Sequence, residues 1–210
     1  MQVTKYGHSC LRLQHDGGVL VVDPGVYSEA EALDGADAVL ITHEHPDHVN
    51  VEALTRALER RPFTVNGPAS LTGVLGDAAE ALVVVAPGES FTAAGVAVRT
   101  YGGQHAVIHP DIPVIENLGY LINDVVYHPG DALVVPDDVQ VVDTLFAPIH
   151  APWSKFSEVV DFIRAVAPRR AFALHDGLLN ANGFGVLDRQ YTALSKTEYR
   201  RLEPGTRIDV

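Results

Sequence analysis

Between Ala36 and Asn50 the chain reads ADAVLITHEHPDHVN. An apolar stretch gives way at once to His43, His45, Asp47 and His48. Imidazole is neutral near pH 7 and is the commonest protein ligand for metals. Burying such groups side by side without a cation would cost roughly several kcal/mol each, so the segment reads as metal-binding. In extended backbone alternate side chains share a face, which would put His43, His45 and Asp47 together and His48 elsewhere. Pro46 cannot donate a ladder hydrogen bond and should take the segment out of its sheet. Two cation positions side by side follow, one served by His43 and His45, the other by Asp47 and His48.

A zinc ion usually takes four ligands, one of them water when the site is catalytic, so two ions need more groups than this segment holds. Three further candidates each stand just past an apolar run: His105 after TYGG, Asp131 in YHPGDA, and His175 at the end of RAFALH. In that layout His105 completes the first position, His175 completes the second, and Asp131 bridges. Nitrogen and oxygen donors without sulfur suit zinc, with manganese and iron as alternatives. Taken alone, His105 or His175 would more often be a core or surface group; the dense hexapeptide makes them ligands. Competing motifs fail. The H-E-x-x-H zinc pattern needs histidine where Asp47 stands, GHSCL has Leu11 in place of the closing glycine of a nucleophile elbow, and no dinucleotide-binding or Walker pattern occurs.

The elements that must position these groups are short strands interleaved with helices. QVTKY, CLRLQHD and VLVVDPG read as strands, the last two joined through Gly17-Gly18 as a hairpin. ADAVLIT is a continuous apolar strand, buried on both faces. NVEALTRALERR has Val51, Leu54 and Leu58 at helical spacing. FTVN is a strand, and PASLTGVLGDA is expected to be a helix started by Pro68. ALVVV, ESFTA, VAVRTY, LGYLIND and VVYHPG are strands, with Asn123-Asp124 as a tight turn. DTLFAPI is followed by a helix, SKFSEVVDFIRAV, stopped by Pro168, then by the strand RAFALH and a partly helical tail. Two sheets face to face with helices outside accommodate the pattern.

A chain of 210 residues is most simply one domain, spanning 1–210. The formal charge of −12 makes a polynucleotide a poor partner. No apolar run is long enough for a membrane span, and the N-terminus lacks the layout of a signal peptide. Cys10 is the only cysteine, which fits a reducing cytoplasm. Homo-oligomerisation is left open.

His43, His45, Asp47 and His48 match H-x-H-x-D-H, and the chain thereby resembles the metallo-β-lactamase superfamily. Asp23 in VVDPG, His105, Asp131 in PGDA and His175 in ALHDG follow in the order of that family's other markers. YGHSCLRL is similar to the branch of small metal-dependent hydrolases related to ascorbate-6-phosphate lactonase. The resemblance implies a four-layer αβ/βα sandwich of two mixed sheets, with a dinuclear site at the sheet edges. It implies that Asp23 supports the ligand loop without ligating. The bridging position is Asp131, as in the phosphoesterase, thioesterase and lactonase branches.

The chemistry expected is hydrolysis of a small-molecule ester, lactone or phosphoester, with a hydroxide bridging two ions about 3.5–4 Å apart. Asp47 is the candidate catalytic residue, orienting that hydroxide and passing a proton to the leaving group. His150, Trp153 and Lys155, in APIHAPWSK, are candidates for the substrate pocket, although Trp153 could equally pack a helix and Lys155 be solvated. His109 is expected in the pocket wall or behind the ligands. His8 and His128 have no assigned role, and His15 is expected in solvent. Two other classes remain: a nucleotide phosphodiesterase or nuclease, and a non-hydrolytic relative resembling a mono-iron dioxygenase.

Overall fold

The computed structural model describes residues 1–139 and 141–210. The first half carries β1 (Gln2–Lys5), β2 (Leu11–His15), β3 (Gly18–Val22), β4 (Ala38–Leu40), α1 (Val51–Arg60), β5 (Thr64–Gly67) and β6 (Leu82–Val84). The second carries β7 (Ser90–Ala93), β8 (Val96–Gly102), β9 (Leu118–Ile122), β10 (Val126–His128), β11 (Thr144–Pro148), α2 (Phe156–Val166), β12 (Arg170–Leu174), α3 (Ala181–Leu194), β13 (Glu198–Arg200) and β14 (Arg207–Asp209). They form two seven-stranded mixed sheets, ordered β14-β1-β2-β3-β4-β5-β6 and β13-β12-β11-β10-β9-β8-β7.

Side-chain alternation builds three apolar layers from these strands. Leu20, Val22, Ala38 and Leu40 of the first sheet meet Val98, Tyr120, Phe146 and Phe172 of the second, filling the space between sheets. Val21, Val39 and Val65 point the other way and pack on Ala53, Leu54 and Ala57 of α1. Leu145, Ala147, Ala171 and Ala173 likewise face Val159, Phe162 and Ile163 of α2 and Tyr191 of α3. The result is the expected αβ/βα sandwich. Burial on both faces explains why β4, β11 and β12 read as continuous apolar runs.

Chain direction brings the loops of interest to one edge. β3, β4 and β5 are mutually parallel, as are β10, β11 and β12. β8 is antiparallel to β9, and β9 to β10, so β8 runs with β10. The C-terminal ends of β3, β4, β8, β10, β11 and β12 thus lead into Asp23, His43–His48, His105, Asp131, His150–Trp153 and His175 respectively.

Several local expectations are corrected. The hairpin after β2 turns at Asp16-Gly17, both with positive φ, and Gly18 already pairs with His15. In place of the helix expected over 68–78 there are two separate 3-10 turns, Ala69–Gly73 and Gly76–Ala81, with Gly73 and Gly76 between apolar positions that are too few to sustain a helix. The tail adds two strands that the sequence reading did not anticipate, β13 and β14. Asn123-Asp124 forms the expected tight turn, with φ of 53° and 57°. α2 stops at Ala167, in the left-handed conformation before Pro168.

Candidate metal centre

β4 ends at Leu40, earlier than Pro46, so strand alternation does not govern the hexapeptide. A turn does. The backbone N–H groups of His48 and Val49 both donate to the His45 carbonyl, at 2.9 and 3.0 Å. His45 is thereby left beside His43, while Asp47 and His48 swing to a second position. The loop after β3 holds the turn from outside through Val26 N–H to Pro46 O and Asn50 N–H to Pro24 O, both 2.9 Å. Gly25 lies so close that a Cβ there would collide with the Asp47 carbonyl. Across the sheets, Leu118 N–H donates to Thr42 O, and within the second sheet's loops Ala106 N–H donates to Asp131 O.

Hydrogen bonds fix which nitrogen of each imidazole faces inward. His48 Nδ1–H donates to Asp23 Oδ2 at 2.7 Å, His105 Nδ1–H to Ala106 O at 2.6 Å, and His175 Nδ1–H to His150 O at 2.7 Å. The single proton of the Thr42 hydroxyl goes to Asp23 Oδ2 at 2.7 Å, so Thr42 Oγ1 accepts from His43 Nδ1 at 2.9 Å. Each ring therefore turns Nε2 toward the others, the arrangement by which an outer hydrogen bond orients a metal-ligating histidine.

The facing atoms lack ordinary partners. His48 Nε2, His105 Nε2, His175 Nε2 and Asp131 Oδ1 are buried and make no hydrogen bond. They nevertheless crowd together. His48 Nε2 is 3.2 Å from Asp131 Oδ1, and His175 Nε2 and His105 Nε2 are 3.1 and 3.5 Å from Asp131 Oδ2, without hydrogen-bond alignment. His43 Nε2 is 3.1 Å from His45 Nδ1. Tetrahedral ligand atoms at about 2.0–2.1 Å from one zinc are separated by roughly this much. Potential ligand atoms group as His43, His45 and His105; as His8, Asp47, His48 and His175; and as His43, His48 and Asp131. The residues present, imidazole nitrogens and carboxylate oxygens, fit divalent metal binding.

Charge agrees with geometry. Burial opposes a charged His48, yet the carboxylates of Asp131 and Asp23 outweigh it and hold the imidazolium well above its ordinary range. Burial is likewise overcome at His175, where Asp131 and Asp47 raise the group to about 9. The same contacts, against burial, keep Asp131 and Asp47 well below the usual carboxylate range. His43 goes the other way, with burial and the neighbouring His48 pushing it well down. A proton on His48 or His175 is thus what two anionic carboxylates draw in when no cation is bound, and cations compete with protons for those nitrogens.

Asp23 is fully buried, ligates nothing in this arrangement, and spends its oxygens on Thr42 N–H, Thr42 Oγ1–H and His48. Two histidines left unassigned by the sequence now have places. His8 Nδ1 accepts from Gly177 N–H at 3.1 Å, so its Nε2 carries the proton and donates to Asp47 Oδ2 at 3.2 Å. His128 Nδ1 accepts from Gly130 N–H and its Nε2 donates to Ser9 O, which pins the turn before Asp131. Lys5, wholly buried and with its pKa lowered by burial, pairs with Asp176 at 3.3 Å and ties β1 to the loop carrying His175.

The centre opens into a cavity of about 250 Å³. Trp153 lines it and donates Nε1–H to Asp131 Oδ2 at 2.8 Å. Two pocket expectations are corrected. His109 is exposed, and its Nδ1 accepts from Asp111 N–H within its own turn. His150 offers only its carbonyl, to His175, while its side chain faces solvent. Lys155 is also exposed, at the start of α2.

The profile of a family described as Beta-lactamase superfamily domain matches residues 2–175. Protein Rv0786c of Mycobacterium tuberculosis is 41% identical over 209 residues, which cover 96% of each chain. A UPF0173 metal-dependent hydrolase of Methanocaldococcus jannaschii is 26% identical over 154 residues, 70% of this chain and 67% of that one. CmlA, a diiron beta-hydroxylase from Streptomyces venezuelae, shares the fold with a TM-score of 0.75 at 19% identity, over 100% of this chain and 54% of its own.

Proposed function

The chain belongs to the metallo-β-lactamase superfamily as a metal-dependent hydrolase, and on that premise we propose that it cleaves a small-molecule ester, lactone or phosphoester with two divalent cations, zinc first. The observation that carries this reading is the convergence of His48, His105 and His175 Nε2 on Asp131 with no hydrogen bond among them. His43, His45 and His105 would hold one cation, Asp47, His48 and His175 the other, and Asp131 both. When bound, such ions polarise a carbonyl or phosphoryl oxygen and bring the pKa of water toward about 7.

The side chains supply the rest. Asp47 lines the cavity, and its low pKa keeps it ionised near neutrality. Ionised, it would accept a hydrogen bond from the attacking water and orient it, and the proton that water gives up would pass along it to the departing oxygen. His8 holds Asp47 Oδ2 and so sets the direction of that transfer. Trp153 steadies Asp131 and walls the cavity against water. In ester cleavage the water oxygen bonds to the acyl carbon as the bond to the alcohol oxygen breaks. One water proton leaves on the alcohol and the other goes to solvent.

No helix of the described residues is long and apolar enough to cross a membrane. A cytoplasmic location and a small-molecule substrate are part of this proposal. The test is a panel of lactone, thioester and phosphodiester substrates, assayed with protein stripped by chelator and then reloaded with zinc, manganese or iron. Turnover that vanishes on stripping, returns on reloading and falls at least about a hundredfold in Asp47→Asn is expected. Turnover indifferent to chelation would overturn the reading.

A further inference from the structure

We propose that the bond cleaved belongs to an uncharged carboxylic ester, open-chain or cyclic, with a short apolar substituent; this rests on the hydrolytic reading above. Beside the candidate ligands, the cavity is lined by Val26, Tyr27, Ile108, Pro152, Trp153 and Leu178. No lysine or arginine is among the described residues lining it. Recognition of phosphate or carboxylate groups ordinarily relies on those side chains. Lys5 is committed to Asp176 beneath the His175 loop, Lys155 points to solvent, and the chain carries a formal charge of −12. Apart from His175 and the cations themselves, an anionic group would meet no ammonium or guanidinium among the described lining residues.

The rim makes the complementary argument. Val26, Tyr27 and Leu178 leave 48, 50 and 52% of their surface in water. They stand on different loops, after β3 and after β12, yet meet at one opening. Large apolar side chains gathered at a cavity mouth mark a surface that a ligand covers. The Tyr27 hydroxyl is the one hydroxyl among the described lining residues, and the Trp153 N–H is already given to Asp131. Selection within the cavity therefore comes from apolar contact with the substituent. Cleavage adds water across the acyl C–O bond, giving a carboxylic acid and an alcohol with no other reactant.

Trp153 is the sole tryptophan, so intrinsic emission reports on this cavity directly. The experiment titrates the zinc-loaded protein with methyl ketones of increasing chain length, which are uncharged and cannot be hydrolysed. Ketone affinity should rise by about fourfold per methylene until the cavity fills. Leu178→Asp should weaken the longest ketone by about tenfold without moving the melting temperature. Affinity independent of chain length overturns the proposal. Cleavage of methyl p-nitrophenyl phosphate faster than p-nitrophenyl butyrate also overturns the substrate class and leaves hydrolysis standing. Ketone binding as described, with neither nitrophenyl compound cleaved under any metal, overturns hydrolysis and the ester assignment with it; the preference for apolar chains survives.

Discussion

Asp23 Oδ2 lies 2.7 Å from His48 Nδ1, and neither side chain has any surface in water. The carboxylate fixes the ring so that Nε2 faces Asp131, and it makes that nitrogen more basic. Asp23→Asn keeps the shape and removes the charge. Metal affinity, read by competition with a chromophoric chelator, should fall by about 10–100-fold with the fold retained. Unchanged affinity would show that Asp23 only packs.

His8 stands close enough to Asp47, His48 and His175 to be mistaken for a ligand. The Gly177 N–H that it accepts commits its outer nitrogen to donation, toward Asp47. His8→Ala should therefore keep the metal content of the parent while turnover of the best substrate falls by about tenfold or more. A loss of one metal per chain, measured by elemental analysis, would make His8 a ligand instead.

These two relationships also mark where sequence legibility ended. Leu40, Phe146 and Phe172 sit in runs whose burial on both faces makes them legible as strands, and the His43–His48 spacing carries its own chemistry. His8 reaches its partners across 39 and 169 residues through a backbone at φ 57°, which no local pattern encodes. His150 and His109 follow strands as His175 and His105 do. The direction of a loop side chain depends on neighbours distant in sequence, and here both turn outward. β13 and β14 escaped notice because they are three-residue edge strands bearing charge, the composition that protects sheet edges.

Lys5 and Asp176 form a buried pair whose parts are of unequal exposure, 0 and 9% by side chain. Lys5→Met strands the carboxylate next to His175. Urea denaturation should show a loss of about 3–5 kcal/mol for the single variant, with Lys5→Met/Asp176→Leu recovering most of it. Equal losses in the single and double variants would mean that packing, rather than charge, governs the site.

The raised His175 gives a signed pH dependence. Against burial, Asp131 and Asp47 lift the folded group to about 9, from an ordinary value of 6.5. Its contribution to the stability of metal-free protein is fully present below 6.5 and is lost as pH rises through about 9. Cations replace that proton, so the gap in melting temperature between zinc-loaded and stripped protein should widen from pH 6.5 to 9. A gap that is constant or narrows over that interval would refute the competition.

Elemental analysis of the purified protein after equilibration with zinc is the most direct measurement. About two equivalents per chain are expected, falling by about one in His105→Ala and again by about one in His175→Ala, each with secondary structure intact. Substoichiometric metal under all conditions, a single iron that zinc does not displace, or a content unmoved by those substitutions would contradict the convergence of these side chains on a pair of cations.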